Sequence, residues 1–221
     1  MKRIITIIIV VILAVGLGYF LFRISPQETE KSDDNLNLSD IEQLSGPSEI
    51  GSDDYVLGLP EAKNTLIVYE DFQCPACATF EPILKQAQKE LTDTKLVFRH
   101  FLLTNIHPNA AVSALAAEAA GAQGKFWEYG SELYARREEW VNLSNPLEKF
   151  TEIASAVGVQ DIEQFKADIE SVKYRDKIEQ DLKESLGLNL RGTPSLIFNG
   201  HELELGSVEQ IKQQVEQFYL K

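Results

Sequence analysis

A short apolar run, Leu66-Ile67-Val68-Tyr69, leads straight into Glu70-Asp71-Phe72-Gln73-Cys74-Pro75-Ala76-Cys77, and a helical pattern follows at once. A continuous apolar run of this length is the pattern of a strand buried on both faces, which restricts the chain to folds with a sheet covered on each side. The same segment holds both cysteines of the 221-residue chain, three positions apart. Random placement would give that spacing in roughly one per cent of cases, so the pair reads as a C-x-x-C unit. With a strand ending near Phe72 and a helix starting at Pro75, Cys74 stands at the N-cap. There, unpaired N–H groups and the positive end of the helix dipole favour a thiolate over a thiol. Pro75 suits the first turn, having no N–H to leave unpaired.

Other readings of the pair are weaker on physical grounds. Buried structural thiols have no need of this spacing. A zinc site wants four ligands, whereas His100, His107 and His201 stand singly and read as structural or surface residues. A purely structural disulfide across so short a loop constrains the unfolded chain little. A redox-active dithiol is the best reading, with no metal and no cofactor required.

Ile4 to Phe22 is a run of 19 residues without a charge, long enough for a helix to span a bilayer. No small-x-small cleavage site lies before Ser25, which predicts an uncleaved signal-anchor over residues 1–24. Lys2 and Arg3 precede the run, so the positive-inside bias places residues 25–221 outside the cytoplasm, where disulfides are made and kept. The chain carries a net charge of −13 although its first 24 residues contain three basic residues and no acid. The remainder is more acidic still, which argues against nucleic acid and anionic lipid as partners. Plain solubility accounts for such a charge.

Residues 25–54 are rich in Ser, Asn, Asp and Glu and predict a flexible, self-repelling linker. Residues 55–221 are long enough for one domain with a sizeable core. Pro75 to Leu91 is helical, with Pro82 expected to kink it, and Lys95 to Leu103 reads as a second buried strand, giving a β-α-β unit. From about 107 to 187 the pattern is helical almost throughout: helices are expected from His107 to Ala120, from Lys125 to Arg137, from Asn145 to Gly158, and over Asp161–Ile169 and Tyr174–Leu186. Strands Ser195–Phe198 and Glu202–Leu205 then flank Asn199-Gly200, a type I′ hairpin signal. Ser207 with Gln210 makes a capping box for a last helix with Ile211, Val215 and Phe218 inside. The order β-α-β, helical insertion, β-β-α predicts an α/β fold of thioredoxin type.

The residues Val56-Leu57-Gly58, Glu70 to Cys77 with its C-P-A-C, His107-Pro108-Asn109-Ala110, Gly124-Lys125-Phe126-Trp127 and Gly192-Thr193-Pro194 resemble the DsbA-like thiol:disulfide oxidoreductases. The resemblance covers residues 55–221 and implies that Pro194 is cis, that its loop lies beside the dithiol, and that the Thr193 backbone pairs with a bound peptide. Two positions depart from the family pattern. The buried acid often found six residues before the first cysteine is replaced by Val68, and strand alternation forbids Glu70 and Asp71 from both facing the thiols. A histidine before the second cysteine, carried by strongly oxidising members, is replaced by Ala76.

These readings imply a resting Cys74–Cys77 disulfide, with Cys74 as the nucleophilic sulfur and Cys77 as the buried resolving one, supported by Pro75, Ala76, Thr193 and Pro194. A helix end supplies up to about 2 kcal/mol, or about 40 mV, and thioredoxin and the strongest DsbA-type oxidant lie about 150 mV apart. The expected Cys74 pKa is therefore roughly 5 to 7, with an intermediate poise. Phe72 and Phe80 are candidates to line a substrate groove. The expected partners are unfolded or reduced exported proteins and a membrane redox partner that resets the dithiol. The competing functions are a reductase or isomerase of the same fold, kept reduced by a membrane electron donor, and a tethered chaperone or metal-binding module without turnover.

Overall fold

The computed structural model describes residues 41–219, and the anchor expected over residues 1–24 lies outside them. No helix among the described residues is long and apolar enough to cross a membrane. The chain enters the sheet with β1 (Tyr55–Leu57), β2 (Asn64–Glu70), α1 (Pro75–Glu90) and β3 (Thr94–His100). A helical insertion follows: α2 (Ala110–Gly121), α3 (Phe126–Ala135), α4 (Arg137–Trp140), α5 (Leu147–Ala156), α6 (Ile162–Glu170) and α7 (Arg175–Gly187). The hairpin β4 (Ser195–Phe198) and β5 (His201–Leu203) and the helix α8 (Val208–Tyr219) complete the fold.

The strand order is β1-β3-β2-β4-β5, with β2 and β3 parallel and the other neighbours antiparallel. A parallel pair needs a crossover, and α1 provides it. Alternation along β2 explains the two cores. Leu66 and Val68 enter the larger one, with Phe80 and Leu84 of α1 and the insertion helices. Ile67 and Tyr69 enter the smaller one, with Val97, Phe101, Ile197 and Leu190.

Local signals account for the ends of several elements. Asn199 and Gly200 both have positive φ, 47° and 86°, as a type I′ turn requires. Ser207 N donates to Gln210 Oε1 at 2.8 Å and Gln210 N to Ser207 Oγ at 3.3 Å, closing the capping box. Gly121 is more than a helix stop: a Cβ there would lie 2.3 Å from the Tyr55 hydroxyl.

The structure corrects several expectations. The second strand ends at His100, not Leu103. Phe101 N still donates to Glu70 O at 2.9 Å, but Leu103 N donates to the Asp71 carboxylate at 3.0 Å, so Phe101–Leu103 form a loop tied to the C-x-x-C turn. The helix expected from Lys125 to Arg137 is instead two, α3 and α4, meeting at Arg136. The third correction concerns the acidic linker, whose last residues are docked. Leu44 N donates to Gly187 O at 2.8 Å and Ser48 N to Glu184 Oε2 at 3.0 Å. Tyr55–Leu57, too short to show a period, forms an added strand, and helix α1 runs unbroken through Pro82.

An ion cluster under the sheet holds this docked segment. Arg99, 1% exposed, bonds Asp54 through Nε at 3.2 Å and Nη2 at 3.0 Å and pairs through Nη1 with Glu184, which also accepts from Ser48 and the Tyr69 hydroxyl. Lys177 adds a second cation 3.6 Å from Asp54. Removing one partner of a buried ion pair strands the other charge, at a cost of about 3–5 kcal/mol. Arg99→Leu is therefore expected to lower the urea-unfolding free energy by about that much, while a change within ~0.5 kcal/mol would show that the cluster is not stabilising.

Candidate functional site

Strand β2 ends at Glu70, and four residues, Asp71 to Cys74, carry the chain to α1. Cys74 N donates to Asp71 O at 2.9 Å, and Cys74 itself is the N-cap, extended at φ −69° and ψ 124°, with Pro75 next. Ala78 N closes the first helical bond on Cys74 O at 3.2 Å. Cys77, one turn in, is 0% exposed, whereas Pro75 and Ala76 are exposed. Both cysteines are free thiols in the structure.

The two sulfurs have opposite electrostatics. The Cys74 pKa is lowered from 9.0 to about 5, chiefly because the Cys77 side chain hydrogen-bonds its thiolate. Burial opposes this, and Thr193 and the N–H groups of Cys77 and Ala76 add to it. The value sits at the lower edge of the range expected from the sequence. Cys77 goes the other way: burial first, then the bond to Cys74 and the nearby Glu70, push its thiol well up. One sulfur is built to be an anion and the other to keep its proton.

The Thr193–Pro194 peptide is cis, and the loop lies against the first sulfur. The Cys74 thiol donates to Thr193 O at 3.5 Å, while the Thr193 hydroxyl has no hydrogen-bond partner among the described residues. That free hydroxyl is available to donate to the sulfur once its proton leaves. A groove of about 620 Å³ opens here, bounded by Arg191–Ser195 on one side and Glu202–Leu205 on the other. Leu205, 50% exposed, gives it an apolar edge.

Phe72 and Phe80 do not line this groove. They are 1% and 6% exposed, inside the larger core, with Phe72 stacked on Phe98 at 5.1 Å and its ring edge against Gly130. Their aromatic area supports the C-x-x-C turn from beneath. Among the described residues, no group of three or more His, Cys, Asp or Glu is placed to hold a metal ion. The histidines have separate tasks: His100 meets Glu118 at 3.0 Å, His107 meets Asp71 at 2.7 Å, and His201 stacks on Phe218 at 4.5 Å.

Glu70 is the functional candidate that the sequence reading passed over. It shares the face of Leu66 and Val68, two residues beyond the Val68 position, and is 2% exposed. Tyr134 of α3 donates to its Oε2 at 3.0 Å, and Oε1 has no partner among the described residues. Burial pushes its pKa up to about 8, Tyr134 opposes this, and Glu81 and Cys74 add to the rise. The signal was the alternation itself: counting two along the strand from Val68 puts a carboxyl on the thiol side.

Comparison with known proteins agrees with this geometry. A family model described as Thioredoxin matches residues 51–217. Among solved structures, oxidised BdbD from Bacillus subtilis superposes with a TM-score of 0.71 at 20% identity, covering 81% of this chain and all of that one. A thioredoxin-like oxidoreductase from Silicibacter pomeroyi DSS-3 gives 0.66 at 24% identity, covering 77% and 95%. Alpha-DsbA1 from Wolbachia pipientis also gives 0.66, at 19% identity, covering 77% and 92%. A curated relative, the Na(+)/H(+) antiporter NhaA 1 of Mycolicibacterium gilvum (strain PYR-GCK), is 32% identical over 203 residues, which is 86% of this chain but 29% of the antiporter. The chain thus spans less than a third of that relative's length. The chain belongs to the thioredoxin family, whose model matches residues 51–217.

Proposed function

We propose that this chain is an extracytoplasmic thiol:disulfide oxidase that introduces disulfides into exported proteins. The observation that carries the reading is the pairing of an acidic Cys74 with a buried, proton-retaining Cys77 beside the Thr193–Pro194 loop. An oxidant needs a stable reduced form and a sulfur that leaves readily, and a thiolate on Cys74 supplies both. The uncharged run Ile4–Phe22 supports export and anchoring.

In the oxidised enzyme, a client thiolate attacks Cys74 Sγ and the Cys74–Cys77 bond breaks. The electron pair goes to Cys77, which takes the proton of the Glu70 carboxyl, and Cys74 is left in a mixed disulfide with the client. A second client thiolate then attacks the client sulfur of that bond, and Cys74 departs as a thiolate. To reset the enzyme, the Cys74 thiolate attacks a partner disulfide and releases one partner thiolate; Cys77 then gives its proton to Glu70 and attacks Cys74 Sγ, re-forming the Cys74–Cys77 bond as the second partner thiolate leaves. The groove bounded by Arg191–Ser195 and Glu202–Leu205 receives the client, with the Thr193 backbone beside its cysteine.

Cys77→Ser is expected to accumulate client proteins disulfide-linked through Cys74 on non-reducing gels. Equilibration of the wild type with glutathione is expected to give a potential between about −270 and −120 mV. A value at or below that of thioredoxin would assign the reductase direction, and an empty trap would remove the exchange activity altogether.

Glu70 makes a separate prediction. Its raised pKa means that the fold retains a proton the unfolded chain gives up above its ordinary 4.5. Its contribution to stability is full below that value and is lost as pH rises through about 8. Glu70→Gln is expected to unfold at higher urea than the wild type at pH 8, to match it at pH 4, and to exchange disulfides more slowly. Equal urea midpoints at both pH values would refute the raised pKa.

A further inference from the structure

Turns between strand and helix have no hydrogen-bond ladder to fix them, so side chains must do so. The turn that carries Cys74 is held on two sides. On one side, the Asp71 carboxylate, 0% exposed, accepts from Gln73 N at 2.8 Å within the turn and from Leu103 N at 3.0 Å across the loop after β3. His107 Nδ1 stands 2.7 Å from the same carboxylate. An ionised carboxylate only accepts, which assigns the ring hydrogen to Nδ1.

On the other side, the 3% exposed Gln73 reaches into the helical insertion. Its Oε1 accepts from Asn109 N at 2.6 Å, and its Nε2 donates to Val141 O at 3.0 Å. Arg137 Nε donates to the Gln73 carbonyl at 2.7 Å, one peptide before Cys74. Asn109 Nδ2 in turn donates to Leu143 O at 2.9 Å, locking the loop after α4 to the start of α2. Asp71, Gln73 and Asn109 are buried, so a bond lost from any of them leaves an unsatisfied partner.

We propose that Asp71 and Gln73, clasped by His107, Asn109 and Arg137, are positioning residues that hold Cys74 Sγ against the N–H groups at the start of α1. The proposal rests on Cys74 being the exchanging sulfur. A hydrogen bond to a thiolate weakens steeply with distance and angle, so a turn free to shift loses the stabilisation those donors give. The helical insertion, which contributes no atom to the exchange, thereby sets how readily the dithiol accepts electrons.

Charge alone predicts the opposite sign. Asp71 brings a negative charge near the sulfur, and removing it by Coulomb's law would make the thiolate easier to form. Loss of the clasp makes it harder. The test is the thiolate absorbance at 240 nm as a function of pH, with the glutathione equilibrium constant and circular dichroism measured on the same samples. The wild type is expected to titrate near 5. Asp71→Asn, Gln73→Ala and His107→Leu are expected to move the midpoint up by about one pH unit and the glutathione equilibrium about tenfold towards the disulfide, which is about 30 mV for two electrons. His107→Asn, whose amide can still donate to Asp71, is expected to restore the wild-type values.

Folded variants with unmoved midpoint and equilibrium, or a midpoint that falls in Asp71→Asn, would overturn the proposal. Should Asp71→Asn not fold, Gln73→Ala decides by the same criteria, since it keeps the charge. A wild-type midpoint near 8.5 would instead sink the reading of Cys74 itself.

Discussion

The structure depends on keeping a negative charge at one place, the Cys74 sulfur at the start of α1. A sulfur anion on a residue only 5% exposed needs donors aimed at it. It has the Cys77 thiol and the N–H groups of Ala76 and Cys77. Much of the neighbourhood follows from that need. Cys77 must be buried enough to stay protonated, since it donates to its partner, and it is 0% exposed. The Thr193–Pro194 loop brings a carbonyl to the same sulfur from the far end of the sequence. Thiol–disulfide exchange then runs on the difference between two identical side chains that share one helical turn.

The strand that leads to the site separates two kinds of work. Its face with Leu66, Val68 and Glu70 looks onto α1 and the insertion, where Tyr134 holds Glu70. Its other face, with Tyr69 bonded to Glu184, looks onto the Arg99 cluster and the docked residues 43–54. Chemistry lies on one side of β2 and anchorage on the other. A single-residue slip of register would exchange the two, so the paired register of β2 with β3 and β4 is a condition of function.

How much of this was legible in the sequence depends on the range of the signal. Local signals read well: C-P-A-C after an apolar run gave the N-cap cysteine, Asn199-Gly200 the hairpin, and Ser207 with Gln210 the final cap. Contacts between distant segments did not. Residues 43–54 look like a solvated acidic tether by composition, yet Asp54 and Ser48 find Arg99 and Glu184 far along the chain. Leu103 extends an apolar run, but its N–H is taken by Asp71, which ends the strand early. Phe72 and Phe80 stand near the cysteines in sequence and face inward in space, because aromatic area of that size is more stable in the core than at a groove edge. Glu70 was hidden by the expectation of an acid at position 68, two residues earlier on the same face.

The most direct measurement of the central claim is the difference in thermal midpoint between the reduced and the oxidised protein as pH is varied from 4 to 8. A lowered Cys74 pKa stabilises the reduced fold fully above the ordinary thiol value, and that contribution is lost as pH falls through about 5. The disulfide form has no such group. The account predicts that the difference shifts steadily in favour of the reduced protein as pH rises from 5 to 8. A difference that stays constant over that range would mean that the fold does not stabilise a thiolate at Cys74.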